Sequence, residues 1–303
     1  MSNIHDLIVI GTGMTGLNAA RHALQNGLST ATVEAQFFGG LIMNVNHLDG
    51  EIQGSGADVA SELMMEVSDL GAHSVNAPAT ALRPDGATLV VMSDDGEHRA
   101  RAVIIASGAR LKRVGVAGEM ELADRGVSQC ADCDGPIYKN KDVVVVGGGD
   151  SALQEAAVLA TYVRQVHLVH RGAAFSARPH LVDQLAAHAN VTTHFETRVE
   201  AVLGDGGVEG VRLRSQADPG AAPRELQCAG FFAYVGLEAV CEFVPAAVLR
   251  DPRGFLLTDG DLRTAMVGVY AAGAVRSGCG GLLTHAAADG IAAARAVVVG
   301  LQG

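Results

Sequence analysis

The chain is 303 residues long, with 49% hydrophobic and 18% charged residues, the balance of a folded protein with room for one large or two ordinary domains. Its formal net charge of −11 argues against nucleic acid as the main partner, and only 4% aromatic residues with no Trp leave few surfaces for stacking bases. No run of about 18 uninterrupted apolar residues suggests a membrane span, and the start, MSNIHDLIVIG, lacks the basic region of a secretory signal, so a cytoplasmic protein is expected.

In chain order, the first predicted element is an apolar strand over Leu7–Ile10. It runs into Gly11-Thr12-Gly13-Met14-Thr15-Gly16 and then a helical pattern, and the next strand ends at Glu34. Arg101–Ala109 reads as a buried strand, and residues 110–118 as an exposed connection. A second copy of the strand–glycine–helix unit follows: strand Val143–Val146, glycines 147 to 149, a helix through Leu159 and a strand over Gln165–Arg171. Crossover helices imply parallel pairing. A second break is expected at residues 236–245, after GFFAYVG. The tail GVYAAGAV and the helix-like LTHAAADGIAAARAVVV resemble the end of the first unit. The expected architecture is α/β, with two Rossmann-like dinucleotide-binding domains, the second (113–239) inserted into the first (1–112 and 240–303).

Three constellations carry chemistry. Gly11 to Gly16 match G-x-G-x-x-G between a strand and a helix. Their spacing suits a tight turn, an approaching pyrophosphate and close helix–strand packing, while Glu34 stands where a carboxylate can bind ribose hydroxyls. A plain turn is the bland alternative. Gly147 to Ala152 repeat the device as G-x-G-x-x-A. Here the second strand ends His170-Arg171, and an arginine suits a 2′-phosphate, although a nucleotide fold kept only for structure shares the pattern.

Cys130-Ala131-Asp132-Cys133-Asp134 lies between the two units. One C-x-x-C cannot complete a zinc site, so no metal is expected. Two thiols at this spacing can close a disulfide, a helix start at Cys130 would favour its thiolate, and Asp134 can shuttle a proton. Two inert buried cysteines are the alternative. Cys228, Cys241 and Cys279 are isolated and read as ordinary core or surface thiols. His180, His188 and His194 have no tight ligand spacing.

Taken together, GTGMTG, GVSQCADCDG, VVVVGGGDSALQEA, VHLVHR and GVYAAG resemble, in order and spacing and over nearly the whole chain, the low-molecular-weight thioredoxin reductase-type flavoproteins, class II pyridine nucleotide-disulfide oxidoreductases. The resemblance implies a homodimer that binds FAD in the first and last segments and NADPH in the inserted one. The implied FAD residues are Gly11, Gly13, Met14, Thr15, Gly16, Glu34, Gly39, Gly40, Leu41, Asn46 (with His47 as its alternative), Gly108, Gly273 and Ala274. Those implied for NADPH are Gly147, Gly149, Asp150, Ser151, His170 and Arg171. It further implies that Cys130 attacks a thioredoxin-like protein or small disulfide, that Cys133 faces the flavin, that Asp134 is the acid, and that 110–118 and 236–245 are hinges.

The chain departs from the family at several of these points. The phosphate-recognising H-R-R-x-x-x-R reads His170-Arg171-Gly172-Ala173-Ala174-Phe175-Ser176, with Arg178 near enough to compensate. A-A-G-D ends in Ala274, R-Q-A reads Gly281-Leu282-Leu283, and G-G-Q reads Gly39-Gly40-Leu41. The expected function is an FAD-dependent disulfide oxidoreductase. Its alternatives are a dithiol oxidase passing electrons to oxygen, a reductase fed by a donor such as ferredoxin, and a redox-inactive flavin-binding protein.

Overall fold

The computed structural model describes residues 4–45, 48–49, 52–279 and 281–302. The chain forms two compact units, one of residues 1–110 and 238–303, the other of residues 111–237.

In the first unit β1 (Ile4–Ile10) leads through the glycine turn into α1 (Met14–Gln25) and β2 (Thr30–Val33). The helix α2 (Gly56–Asp69), capped by Ser55 whose hydroxyl accepts from the Asp58 N–H at 3.0 Å, brings the chain to β3 (His73–Val75). A meander of β4 (Ala79–Asp85), β5 (Thr88–Ser93) and β6 (Gly96–Ile105) follows. The sheet order is β3-β2-β1-β6-β5-β4. The pairs β1–β2, β2–β3 and β1–β6 are parallel, whereas the meander is antiparallel. β1 begins three residues before its apolar run because Ile4 and His5 pair with Arg99 and Ala100. β6 ends at Ile105 rather than Ala109, since Ala106 donates to Ile10 and the chain then turns at Gly108.

In the second unit Val127–Ser128 precede the one-turn helix α3 (Ala131–Asp134). A βαβ unit then runs through β7 (Asp142–Gly147), α4 (Asp150–Ala160) and β8 (Gln165–Val169). After α5 (Pro179–Ala186) come β9 (Val191–His194), an antiparallel trio of β10 (Thr197–Leu203), β11 (Gly210–Ser215) and β12 (Arg224–Gln227), and β13 (Gly230–Tyr234). The parallel sheet runs Val127–Ser128, β13, β7, β8, β9. β8 stops two residues short of Arg171, so His170 and Arg171 sit in the turn beyond it. The expected exposed connection at 110–118 leaves Arg110, Lys112, Arg113, Gly115 and Ala117 exposed, and it is tied down by Glu119, a buried side chain that accepts from the N–H groups of Val114, Gly115 and Val116 at 3.0, 2.6 and 3.4 Å.

The chain re-enters the first unit and lays β14 (Val269–Ala271) parallel against the C-terminal half of β6 before ending in α6 (Leu283–Gln302). The period-2 alternation of β1 and β6 makes two apolar layers. Leu7, Val9 and Ile104 pack under α1 and α6, and Ile8, Ile10 and Val103 pack on Val244, Val248 and Leu256. Each such fully buried aliphatic side chain contributes about 1.5–3 kcal/mol. Among the described residues no helix is long and apolar enough to cross a membrane.

Candidate active site

The first glycine turn is shaped by close approach. Gly11 has φ +98°, and a Cβ there would lie 2.4 Å from the Ala106 carbonyl oxygen; a Cβ on Gly16 would lie 1.8 Å from that of Gly11. Gly13 differs, because its nearest atom would be the Gly39 oxygen at 3.7 Å, leaving open space at the N-cap of α1. No side chain caps that helix end, so its free N–H groups form a cradle that fits a pyrophosphate. Glu34, just past β2, is held in place by this turn. Its Oε2 accepts from Thr12 N–H at 2.7 Å and from the Thr12 hydroxyl at 2.8 Å, and its Oε1 accepts from Gln36 N–H at 3.1 Å. Glu34 borders a cavity of about 290 Å³ with Thr12, Phe38, Ser74 and Asn76, which matches the ribose end of a dinucleotide.

Around the same turn the Gly39 N–H donates to Thr12, and Gly273 lies against the Thr15 side chain. Gly11, Gly13, Met14, Thr15, Gly16, Glu34, Gly39, Gly40 and Gly273 are therefore brought together. Leu41 is half-exposed in the 3-10 turn Gly40–Asn44, Gly108 turns the chain after β6, and Ala274, which follows Gly273, has no polar side-chain atom. Asn46 and His47 lie outside the described residues. Sequence reasoning missed Asp289. From α6 it accepts from the Gly273 N–H at 2.9 Å and clasps Arg276 through both oxygens at 2.6 and 2.8 Å. Its signal was an acid four residues before Ala293, on the face α6 buries.

In the second unit Cys130 is the N-cap of α3 and is disulfide-bonded to Cys133, with their Cα atoms 5.4 Å apart. Ser128 sets the approach by accepting from the Cys130 N–H at 3.1 Å, and the Cys133 N–H donates to Cys130 Sγ at 3.2 Å. That amide would remain as a donor to a Cys130 thiolate. Asp134 follows, half-buried, and the neighbouring Tyr138 hydroxyl is pushed up by burial first and by the Asp134 charge second. Cys228 is buried and its thiol is pushed up to about 12, chiefly by desolvation, which leaves it inert at neutral pH.

The second glycine turn precedes α4. A Cβ on Gly148 would meet the His170 ring at 2.3 Å, while Gly149, the N-cap, is open apart from Ser176 Oγ at 3.9 Å. This cradle too admits a phosphate. Arg178 is the arginine expected to compensate. Arg178 is tied to Asp150, which accepts from its N–H at 2.8 Å and its Nε at 2.6 Å, and this hydrogen bonding holds the Asp150 carboxyl below its usual range. Arg171 is exposed and in no ion pair among the described residues. The two further arginine positions of that element hold Gly172 and Ser176, whose hydroxyl donates to the Gly148 carbonyl at 3.1 Å, and Phe175 just before Ser176 packs on Phe195, with ring centroids 4.8 Å apart.

Two phosphate cradles and a C-x-x-C-D turn agree with what comparison with known proteins finds. A model described as pyridine nucleotide-disulphide oxidoreductase matches residues 5–290. The chain belongs to the pyridine nucleotide-disulphide oxidoreductase family. Within it, the thioredoxin reductase of Treponema pallidum is 31% identical over 300 residues, covering 98% of this chain and 97% of that protein. The thioredoxin reductase of Listeria monocytogenes is 34% identical over 278 residues, covering 90% and 86%. The crystal structure of Lactococcus lactis thioredoxin reductase superposes with a TM-score of 0.90 at 28% identity, covering 98% and 99%. The fold is that of the low-molecular-weight thioredoxin reductases, with two dinucleotide-binding domains. As a member of this family the protein is an FAD-dependent thiol-disulfide oxidoreductase.

Proposed function

We propose that the protein reduces a disulfide on a thioredoxin-like protein or a small molecule, with NADPH as electron donor, as a cytoplasmic homodimer. The observation that carries this is the Cys130–Cys133 disulfide on the first turn of α3, with Asp134 adjoining it. FAD would be held by the Gly11–Gly16 turn, Glu34, Gly39, Gly40 and Gly273, and NADPH by Gly147, Gly149, Asp150, Ser151, His170 and Arg171. Bound FAD supplies two-electron chemistry that links a hydride donor to a disulfide.

The protein's own residues carry the rest. In the reduced enzyme the Cys130 thiolate attacks one sulfur of the substrate disulfide, forming a mixed disulfide and releasing the other sulfur as a thiolate. Cys133 then attacks Cys130 Sγ. This closes the Cys130–Cys133 bond and releases the second substrate thiolate. Asp134 holds the proton that each leaving thiolate needs.

An anaerobic titration of the purified protein with NADPH, followed in the visible spectrum, tests the reading. Bleaching of the flavin bands at stoichiometric NADPH supports it. Flavin bands that ignore NADPH but bleach with a small dithiol would reverse the direction of flow, and oxygen uptake on adding dithiol alone would make the protein a dithiol oxidase. The Arg178–Asp150 pair is the feature that favours this second reading, since it leaves Arg171 to meet a 2′-phosphate without Arg178.

A further inference from the structure

The dithiol turn is anchored by a side chain outside the C-x-x-C motif. Glu155 lies on α4, three residues after Ala152 and four before Leu159, on the stripe that this helix buries. An acid there is costly unless its oxygens are paired. Oε2 of Glu155 accepts from the Ala131 N–H at 3.2 Å and from the Tyr234 hydroxyl at 3.2 Å. Ala131, directly after Cys130, is fully buried, and Tyr234 is buried at the end of β13. The Tyr234 carbonyl oxygen would lie 2.5 Å from a Cβ on Gly147, so this tyrosine also packs against the second glycine turn.

We propose that Glu155, braced by Tyr234, is a positioning residue for the Cys130–Cys133 dithiol, fixing the Ala131 amide and setting by its charge how readily Cys130 ionises. The two N–H groups of the turn are divided: that of Cys133 goes to sulfur, that of Ala131 to the carboxylate. A carboxylate beside a forming thiolate opposes it. The groups around Glu155 do not cancel its charge. Asp132 of α3 is a like charge, Tyr234 of β13 is neutral with its hydroxyl pushed up by burial, and Asp134 faces Tyr234 and Tyr138. Burial, with Asp132, also pushes the Glu155 carboxyl up, so its restraint on Cys130 weakens as pH falls.

The proposal rests on Cys130 being the attacking thiol. Its test is the pH dependence of iodoacetamide labelling of Cys130 in the reduced full-length protein, read by peptide mass spectrometry. Glu155→Gln keeps an acceptor for the Ala131 N–H but removes the charge. It is expected to lower the labelling midpoint by about half a pH unit, which is about threefold in thiolate. Tyr234→Phe removes one donor from the carboxylate, favours its protonation and should move the midpoint the same way by less, carrying the test if Glu155→Gln does not fold. Midpoints that coincide with wild type overturn the proposal. Labelling confined to Cys133 in the wild-type protein overturns it by the other route, through the assignment of the attacking thiol.

Discussion

Gly13 and Gly16 stand three residues apart in one turn, and the structure asks different things of them. A Cβ on Gly16 would sit 1.8 Å from a backbone oxygen, so Gly16→Ala must push α1 off β1. The expected cost is about 2–3 kcal/mol, seen as a fall in Tm of about 5–10 °C. Gly13→Ala meets nothing closer than 3.7 Å. It should leave the Tm of the apoprotein unchanged while flavin absorbance per chain is lost, because the methyl group occupies the space a pyrophosphate needs. Flavin retained at wild-type stoichiometry in Gly13→Ala would show that the pyrophosphate does not use this turn. At this scale the glycines were legible, since their spacing encodes a steric requirement. Arg178 was not: its position in the chain cannot show that Asp150 has already engaged its guanidinium.

At the level of elements, side-chain networks tie strands and helices together in ways that periodicity does not display. Arg224 of β12 can only donate, so its contact with His194 Nδ1 at 3.0 Å makes that nitrogen an acceptor. The His194 Nε2–H then donates to His167 Nδ1 at 3.2 Å, joining β9 to β8. Burial first, then Arg224 and His167, lower His194 from 6.5 to about 4. The native histidine thus stays neutral where the unfolded chain binds a proton. Stability is full above pH 6.5 and falls as pH drops through the window to about 4. Because His194 is only partly buried, the loss is about 1 kcal/mol after allowing for solvent screening, and His167, also lowered by burial, adds in the same direction. Urea unfolding at the two ends of that window should show the loss in wild type and a smaller one in His194→Gln. Equal losses in the two proteins would sink the assignment.

The second network ties the turn after β14 to α6. The side chains of Arg276 and Asp289 are only 17% and 14% exposed. Asp289→Asn leaves Arg276 without its countercharge and weakens the bond to the Gly273 N–H, so a destabilisation of about 2–4 kcal/mol is expected by chemical denaturation. The strands and helices were largely readable from apolar runs and repeated glycine turns. Strand ends were less so, because pairing partners from distant segments decide them, as Arg99 does for Ile4.

For the whole molecule, the inserted unit was legible because the βα device occurs twice and the tail resembles the end of the first copy. What the sequence left vague is where the chain passes between units. Those passages are the short strands Ala109–Leu111 and Leu237–Ala239, which pair as a two-stranded ribbon. Arg110 reinforces the ribbon by bridging Glu238 and Glu242 at 2.6 Å each. Just before the second passage, Gly236 has φ +113° and accepts from the Lys112 N–H at 2.8 Å, with nothing within 4 Å of where a Cβ would stand. If turnover requires the units to move, the bending falls on such positions, which carry few contacts and need backbone freedom. Gly236→Ala removes that freedom without a clash, at a cost of about 1 kcal/mol in this backbone region. Flavin content should not change, while kcat for disulfide reduction falls about fivefold and KM moves with it. Steady-state kinetics of the flavin-replete variant decide the matter: an unchanged kcat would place the rate-limiting motion away from this ribbon, and the predicted fall would place it at Gly236.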